Sequence, residues 1–360
     1  MNMRRRGFIQ AGAGVAAASL LPSATARAAA SPGPATAMRQ FDVTTTVDLA
    51  EAGAANRLYL PLFLPARADQ QRIGLRWESD ARIRIHRDPQ TGAQLLYARW
   101  NDAQAPRKLT LVERVAIRQR GQSERRISAS QRAFWTRSSP GLPTGGIVRD
   151  TARRITSGIA EPKAKLRAIY DWVIANTWRD PATKGCGTGD IAAMLSANLQ
   201  NGAPMGGKCA DINSLMVGLC RAVGLPARDI YGLRLAASQR YKSLGREGNV
   251  TGAQHCRAEV WLDGEGWFPV DPADVRKVVL EEKLPVDSPP VIALANELFG
   301  GWEANWGGYN SATGIALPEA PRDPNFHFMM YPCAMGETTL ANCLDAANFR
   351  YRIESTAITA

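Results

Sequence analysis

The sequence lacks several features that mark common protein classes. Beyond the N-terminus it has no run of about 18 apolar residues, so we expect no internal membrane span. Its six cysteines form no C-x-x-C pair, which argues against a zinc ribbon and a thioredoxin-type site. No clustered metal ligands and no internal repeat are evident. With 45% hydrophobic and 21% charged residues over 360 positions, the composition favours a soluble globular protein of one or two domains.

The sequence also has little concentrated charge. The formal charge is +11, but the arginines are scattered along the chain. No basic motif interleaved with aromatic residues and no fold signature of nucleic-acid-binding proteins is present. We therefore expect no nucleic-acid partner, although a basic protein can be attracted to acidic polymers or to the cell envelope.

The first 30 residues predict an export signal. The run Arg5-Arg6-Gly7-Phe8-Ile9 fits a twin-arginine signal, and a weakly apolar stretch follows at 11–21. Small residues offer A-x-A cleavage sites at 26–28 and 28–30. The alternative is an uncleaved N-terminal anchor. The pattern favours a periplasmic protein with no stable membrane span after cleavage.

Residue patterns divide the remainder into four parts. Short alternating runs rich in β-branched residues predict a small β-sandwich domain over 39–122. The polar, Pro- and Gly-rich stretch 123–146 predicts a linker or covering loop. Residues 147–275 carry helical and then strand periodicity and form the predicted catalytic core. Residues 276–360 are expected to be an irregular C-terminal extension that packs on the core.

Three helices and three strands are expected within the core. Pro162 suits the first turn of the first helix, and residues 200–207 are expected to be an irregular loop. The third helix has an apolar stripe and ends at Gly224. The expected elements are a helix after Pro162 with the stripe Leu166, Ile169, Tyr170, Val173 and Ile174, helices at about 190–199 and 209–223, and strands at 227–235, 255–262 and 267–270.

Cys209 is the first candidate for chemistry. It lies where a loop containing Gly206 and Gly207 meets an apolar-periodic helix. The free N–H groups and partial positive charge of a first helical turn favour thiolate over thiol. The glycines let the backbone bend and a substrate approach, and the N–H of Cys209 is placed to donate to an oxyanion. The alternative is a small core cysteine at a helix start.

His255 and Asp271 complete a catalytic constellation with Cys209. His255 opens an alternating strand, and an imidazole near the thiol can accept and return its proton. Asp271 closes the return strand 16 residues later, where its carboxylate can orient the ring. An Asp before Pro is also a common turn residue. The two other histidines, His86 and His327, are interpreted as structural.

Four segments together resemble the transglutaminase-like core, and in particular its bacterial exported branch. The resemblance covers about residues 160–275, less than half of the chain, and places the catalytic Cys, His and Asp of that family at Cys209, His255 and Asp271. It implies an α+β fold, a papain-like core in which the nucleophile lies on a helix packed against an antiparallel sheet, here preceded by the β-sandwich. The segments are Gly207-Lys208-Cys209-Ala210-Asp211, Arg221-Ala222-Val223-Gly224-Leu225-Pro226-Ala227-Arg228, His255-Cys256-Arg257-Ala258-Glu259-Val260-Trp261 and Gly266-Trp267-Phe268-Pro269-Val270-Asp271-Pro272.

The resemblance implies acyl transfer through a thioester, which needs no metal and no cofactor. The second oxyanion donor would be a side chain ahead of the cysteine, and Gln200, Asn201 and Trp178 are the candidates. Substrates would be peptide or protein amides, with cell-envelope peptides or exported proteins as candidates. Water as acceptor gives a peptidase or amidase and an amine gives a transamidase; we favour water as the simpler acceptor. The alternatives are a catalytically silent binding or assembly module and a structural envelope protein held by disulfides.

The remaining cysteines raise two further possibilities. Cys333 and Cys343 are close enough in sequence to form a disulfide in an oxidising compartment, although sequence alone does not decide the pairing. Cys256 lies beside His255, and its oxidation with Cys209 would switch the enzyme off. Because neighbours on a strand point to opposite faces, Cys256 is expected to face away from the site.

Overall fold

The computed structural model of the protein describes most of the chain after residue 37. The described residues are 38–101, 106–120, 126–139, 141–202, 205–321, 328–338, 340–341, 344 and 349–358, and they belong to one compact unit. The predicted signal at 1–30, His327 and Cys343 lie outside them. The predicted Cys333–Cys343 disulfide therefore stays a prediction.

Seven helices and seventeen strands occur in the described ranges. The helices are α1 (Ala129–Thr136), α2 (Gly146–Ile155), α3 (Pro162–Asn176), α4 (Ile191–Asn201), α5 (Cys209–Ala222), α6 (Pro272–Glu281) and α7 (Pro289–Glu297). The strands are β1 (Arg39–Asp48), β2 (Arg57–Pro61), β3 (Ala66–Arg67), β4 (Gln70–Glu78), β5 (Arg82–Arg87), β6 (Gln94–Arg99), β7 (Lys108–Ile117), β8 (Thr177–Arg179), β9 (Met205–Gly207), β10 (Ala227–Arg234), β11 (Gly248–Asn249), β12 (Gln254–Leu262), β13 (Gly266–Val270), β14 (Trp306–Asn310), β15 (Cys333–Met335), β16 (Leu340–Ala341) and β17 (Arg350–Ile358).

Two antiparallel sheets contain the predicted N-terminal strands. One has the order β11-β17-β1-β7-β4-β3 and the other β16-β15-β2-β6-β5. Alternating apolar residues of β1 and β7 pack against β2 and β6 in a shared core, so each sheet buries one face. The core includes Val47, Leu58, Leu60, Leu96, Leu109 and Leu111.

The C-terminal segment differs from the irregular extension expected over 276–360. It contributes α7 and β14 through β17, and β17 pairs along the whole length of β1, with Val43 opposite Ser355. The sandwich is therefore not confined to 39–122. Most side chains of β17 are exposed or half-buried, which left only a weak apolar signal in its sequence. Its place is set by backbone pairing with a distant strand rather than by local pattern.

The segment expected to be a linker, 123–146, contains the helix α1. Its N-terminus has a capping box, in which Ser128 Oγ accepts from the N–H of Gln131 and Gln131 Oε1 accepts from the N–H of Ser128. Trp135 of this helix is buried against Trp261 and Trp267 of the β12–β13 hairpin. The S-x-x-Q pattern was the sequence signal from which this helix could have been predicted. Because Trp135 is buried, the helix α1 is part of the folded unit rather than a linker.

The core has the predicted α+β class, which is confirmed. A sheet of order β13-β12-β10-β14 packs against α5, and all but the last residue of α5 are buried. The apolar stripe of α3 is buried as expected, from Leu166 to Ile174. The loop expected at 200–207 is instead shared between the end of α4 and β9, which pairs in parallel with β8. A three-residue strand supported by a distant partner leaves no periodic signal in the sequence.

Candidate active site

Cys209 occupies the first position of α5 and is 2% exposed. The preceding loop is fixed by Asp211, which lies in the first turn of the helix. Its Oδ1 accepts from the N–H groups of Thr188 and Gly189, both at 2.9 Å, and its Oδ2 accepts from the N–H of Lys208 at 2.9 Å. The nucleophile therefore lies at a helix terminus that is held by charge-assisted hydrogen bonds.

Two glycines allow the loops to pack closely around Asp211. Gly187 has φ +94, and a Cβ there would lie 1.8 Å from Asp211 Oδ2. A Cβ at Gly207 would lie 2.6 Å from Asp211 Cβ. No other residue type fits either position without displacing this carboxylate. The same packing brings the carbonyl of Cys186 to the N–H of Ala210 at 2.8 Å, which places Cys186 beside the start of α5.

The imidazole of His255 joins Cys209 to Asp271. His255 Nε2 lies 2.8 Å from Asp271 Oδ2, and the ring also interacts with the sulfur of Cys209 and lowers the pKa of that thiol. Since Nε2 faces the carboxylate, Nδ1 is the nitrogen available to the sulfur. The structure thus brings together the three residues that sequence spacing predicted, with His255 2% and Asp271 0% exposed.

Asp271 has two roles that follow from its position between β13 and α6. It is the N-cap of α6, where its Oδ1 accepts from the N–H of Asp274 at 3.1 Å and from Asn213 Nδ2 at 3.3 Å. Its Oδ2 is left to face the imidazole. The Asp-Pro turn and the catalytic carboxylate are therefore the same group, because Pro272 opens the helix that the carboxylate caps.

Three charged residues beside the triad were missed by sequence reasoning. Asp274 Oδ1 lies 3.3 Å from His255 Nε2, Arg234 forms an ion pair with Asp274, and Arg257 Nε lies 3.3 Å from Asp271 Oδ2. All three are nearly fully buried. Arg257 is two residues after His255 on β12 and so shares its face, and Asp274 is one helical turn after Asp271. These two spacings are the sequence signals from which Arg257 and Asp274 could have been predicted to lie at the site.

The electrostatics favour a thiolate–imidazolium pair. Burial alone would raise the pKa of Cys209, but hydrogen bonds from Cys186, Cys256 and His255 outweigh it and hold the pKa well below its ordinary value. Burial and Arg234 act to lower the pKa of His255, but the carboxylates of Asp274 and Asp271 raise it. Both shifts act toward an anionic sulfur beside a cationic ring, the state in which a cysteine nucleophile is active.

Cys256 does not face away from the site, so that expectation was wrong. Its thiol and that of Cys186 both interact with the sulfur of Cys209, and the pKa of each is raised well above its ordinary value. The thiol of Cys186 also donates to the carbonyl of Gln254 at 3.4 Å. For Cys186, hydrogen bonding to Cys209 is the largest cause, and for Cys256 burial is. Because α5 begins beside the start of β12, its first residue can reach side chains on both sides of that strand. No sequence pattern indicated that Cys186 would lie near Cys209, because Cys186 is on a separate loop.

We expect Cys186→Ala to weaken the thiolate. Cys186 lowers the pKa of Cys209, so its removal raises that pKa, the alkylation profile shifts to higher pH and the rate at pH 6 falls several-fold. The measurement is the rate of iodoacetamide alkylation between pH 4 and 9, with Cys209 followed by mass spectrometry. Cys220→Ala is the matched control, because Cys220 is buried on the same helix and its pKa is affected by burial alone. Identical profiles for the Cys186→Ala variant and the native protein would contradict the role of this thiol.

Among the described residues, one group of three side chains could hold a metal ion, and it lies at the triad. Single ligand atoms of His255, Asp271 and Asp274 lie within 4.8 Å of one another, although no clustered metal ligands were evident in the sequence. Arg234 and Arg257 lie against these carboxylates. Two guanidinium groups already balance the two acids in charge, and an imidazolium adds a further positive charge, so this set suits a proton-transfer site better than a divalent cation.

The three candidates for the second oxyanion donor lie in two places. Gln200 and Asn201 are at the exposed C-terminal end of α4. Trp178 lies on β8, opposite Gly206 of β9, and a Cβ at Gly206 would be 2.8 Å from Trp178 Nε1. Trp178 therefore contacts the glycine loop that leads into Cys209. This contact makes Trp178 the candidate that we retain.

A cavity of about 650 Å³ lies next to the nucleophile, between the sandwich and the core. Cys186 and Lys208, which adjoin Cys209, and Gln254, which precedes His255, form part of its wall. The remaining wall comes from β1, the end of β8, and β17 with the residues near it. A substrate would reach the triad from this cavity.

Comparison with known proteins agrees with the geometry. Residues 149–272 match the family model of the transglutaminase-like superfamily. An uncharacterised protein of Haemophilus influenzae is 32% identical over 335 residues, which covers 86% of this chain and 89% of the relative.

One solved structure shows the same fold over most of the chain. A crystal structure described as that of a candidate cysteine protease from Cytophaga hutchinsonii is 12% identical, with a TM-score of 0.54 over 90% of this chain and 92% of that one. The periplasmic domain of TgpA from Pseudomonas aeruginosa is 18% identical and has a TM-score of 0.34 over 69% of this chain and 91% of that one. Among the helices of the described residues, none combines the length and apolarity required to cross a membrane.

Proposed function

The chain belongs to the transglutaminase-like superfamily, and from that premise we propose that it is an acyl-transfer enzyme with Cys209 as its nucleophile. One observation carries the proposal. His255 Nε2 lies 2.8 Å from the buried carboxylate of Asp271, and the same imidazole interacts with the sulfur of Cys209 and lowers the pKa of that thiol. A buried cysteine with a purely structural role needs no such partners, and its pKa would be raised rather than lowered.

The proposed reaction begins with attack of the Cys209 thiolate on the carbonyl carbon of an amide. Negative charge moves to the carbonyl oxygen, where the N–H of Cys209 and Trp178 Nε1 act as donors. The C–N bond then breaks, and the His255 imidazolium gives its proton to the departing amine, which leaves a thioester. Asp271 keeps the ring oriented throughout.

The thioester is resolved by attack of a second nucleophile. His255, now neutral, accepts a proton from water or from an amine as the new bond forms, and the thiolate departs to restore the ion pair. Water gives hydrolysis and an amine gives transamidation. We propose hydrolysis as the main outcome, because water needs no binding site of its own.

We further propose that the enzyme works in the periplasm on peptide or protein amides of the cell envelope. The twin-arginine pattern at the N-terminus supports this location. A folded protein exported by that route would reach its substrates with its buried catalytic groups already assembled.

The test compares the native protein, Cys209→Ala and the control Cys220→Ala on a library of envelope-derived peptides. Mass spectrometry measures both the hydrolysis products and the incorporation of a labelled primary amine. We expect turnover in the native protein and the control, and a loss of about 10⁴-fold or more in Cys209→Ala.

Two outcomes would overturn the proposal. One is equal turnover in the native protein and Cys209→Ala. The other is the absence of turnover together with alkylation of Cys209 at pH 6 no faster than that of free cysteine in solution. The latter pair of results would instead support a catalytically silent binding module.

A further inference from the structure

The cavity beside Cys209 has an uneven distribution of charge. Arg179 and Lys208 lie at the end next to Cys209, because Arg179 pairs with Gly207 on the neighbouring strand and Lys208 directly precedes the cysteine. Arg350 and Arg352 line the part contributed by β17. The acidic residue in the wall is Asp48, and it is paired with Lys108 at 3.2 Å.

The positive charge of Arg179 is only partly compensated. Its Nε lies 3.6 Å from Glu281 Oε1, and Lys277 Nζ lies 2.6 Å from Glu281 Oε2, so two cations share one carboxylate. The side chain of Arg179 is 13% exposed, and its Nη1 is buried without a hydrogen-bond partner in the part of the chain that the structure describes. No acceptor among the described residues therefore satisfies all the donors of this guanidinium, and the accessible part of the side chain lies in the cavity wall, where an anion can approach its charge.

Lys208 adds a second charge at the same end. It immediately precedes Cys209, is half-buried, and forms no ion pair with any residue that the structure describes. By contrast, the arginines of β17 have acidic partners, since Arg350 pairs with Glu51 at 2.9 Å and Arg352 with Glu354 at 2.8 Å. The uncompensated positive charge is therefore concentrated next to the reacting sulfur.

We infer that Arg179 and Lys208 bind a carboxylate of the substrate, so that the enzyme acts on amide bonds flanked by a free carboxylate. The inference rests on the proposed acyl-transfer function and names its substrate class. Arginine matches the planar carboxylate with two parallel N–H donors, and the flexible lysine contributes a point charge. The carboxylate belongs either to an acidic side chain or to the C-terminus of a peptide, and both place the same group beside the scissile bond.

The first arm of the test uses alkylating reagents and needs no knowledge of the substrate. Iodoacetate carries a carboxylate and iodoacetamide is its neutral counterpart. We expect Arg179→Gln to lower the ratio of the iodoacetate rate to the iodoacetamide rate at Cys209 by about tenfold. The ratio cancels any change in the thiolate fraction of Cys209, because both reagents react with the same thiolate. Lys208→Gln should lower the ratio in the same direction, and Arg179→Lys should retain part of it.

The second arm uses matched peptides. One pair differs by Glu against Gln beside the scissile amide, and a second pair differs by a free against an amidated C-terminus. The pair with the larger kcat/KM difference identifies the source of the carboxylate. Arg179→Gln is expected to reduce that difference at least tenfold, mainly through KM for the acidic peptide.

Arg84→Gln is the charge-matched control, because Arg84 is an exposed residue of β5 in the sandwich. The inference is overturned if Arg179→Gln and Arg84→Gln give the same reagent ratio and the same peptide preference as the native protein. The proposed function is unaffected by that result, provided that Cys209 is still alkylated rapidly and the protein still turns over peptides. If Cys209 shows neither enhanced alkylation nor turnover, the proposed function itself fails, and the reagent ratio still decides whether the cavity prefers anions.

Discussion

Replacement of His255 by glutamine is expected to lower kcat/KM for any peptide substrate by about 10⁴-fold or more. Glutamine can still hydrogen-bond Asp271, but it can neither give a proton to the leaving amine nor carry the positive charge that stabilises the thiolate. The matched control is His86→Gln, because His86 lies on β5 in the sandwich. The measurement is steady-state peptide hydrolysis, with thermal unfolding to verify that both variants are folded.

The same substitution should change the pH dependence of Cys209 alkylation. In the native protein the pKa of Cys209 is lowered and that of His255 is raised, so the ion pair exists at pH values between the two and the alkylation rate is flat across neutral pH. Without the imidazolium the pKa of Cys209 rises, and the rate at pH 6 should fall toward that of an ordinary thiol. An unchanged pH profile in His255→Gln would exclude His255 as the partner of the sulfur.

The second large effect concerns stability rather than catalysis. Glu259 of β12 is 0% exposed and accepts hydrogen bonds from Arg67 Nη2 at 2.7 Å, Arg120 Nη2 at 2.6 Å and Arg228 Nη2 at 2.8 Å. Arg67 and Arg120 come from the strand-rich N-terminal part and Arg228 from β10. This one carboxylate therefore joins the sandwich to the core.

Glu259→Gln is expected to lower the free energy of unfolding by about 3–5 kcal/mol, because it leaves three guanidinium groups, two of them well buried, facing a neutral amide. Urea denaturation measures the change. The control is Glu319→Gln, which also faces two arginines, Arg84 and Arg99, but is partly exposed, so its loss of stability should be much smaller because solvent screens the charges. Comparable losses in the two variants would show that the buried cluster contributes no more than a surface one.

The acid dependence of stability should change in Glu259→Gln as well. Burial raises the pKa of Glu259, but Arg67, Arg120 and Arg228 outweigh it and hold the pKa well below the ordinary 4.5. A carboxylate with a lowered folded-state pKa contributes stability that is fully present above the unfolded pKa and is lost as the pH falls below it. The native protein should therefore lose more stability than the variant between pH 5 and pH 2.

Much of the site was predictable because its signals are local. The helix that begins at Cys209, the strand that begins at His255 and the hairpin that ends at Asp271 are each specified by periodicity and turn residues within about 20 positions. The structure brings the three side chains together as that spacing suggested. The apolar stripes of α3 and α5 were predictable for the same reason, since a helix buries residues at fixed intervals.

The features that could not be predicted from the sequence share a different cause. β17 is largely exposed and forms because β1 offers it a partner, about 300 residues earlier in the chain. Cys186 reaches the sulfur only because Asp211 holds its loop against the first turn of α5. Cys256 faces the site because of where α5 meets β12, which strand alternation alone does not specify.

The sequence by itself determined the family and the α+β class, and it singled out the cysteine, histidine and aspartate that we propose as nucleophile, base and orienting acid. The tertiary structure alone decided what surrounds them: two further thiols at the sulfur, a second acid and two arginines behind the imidazole, and a cationic cavity between sandwich and core. The physical reason is that periodicity encodes what each element buries. Which charges meet at one point depends on contacts between elements far apart in the chain, and no local pattern carries that information.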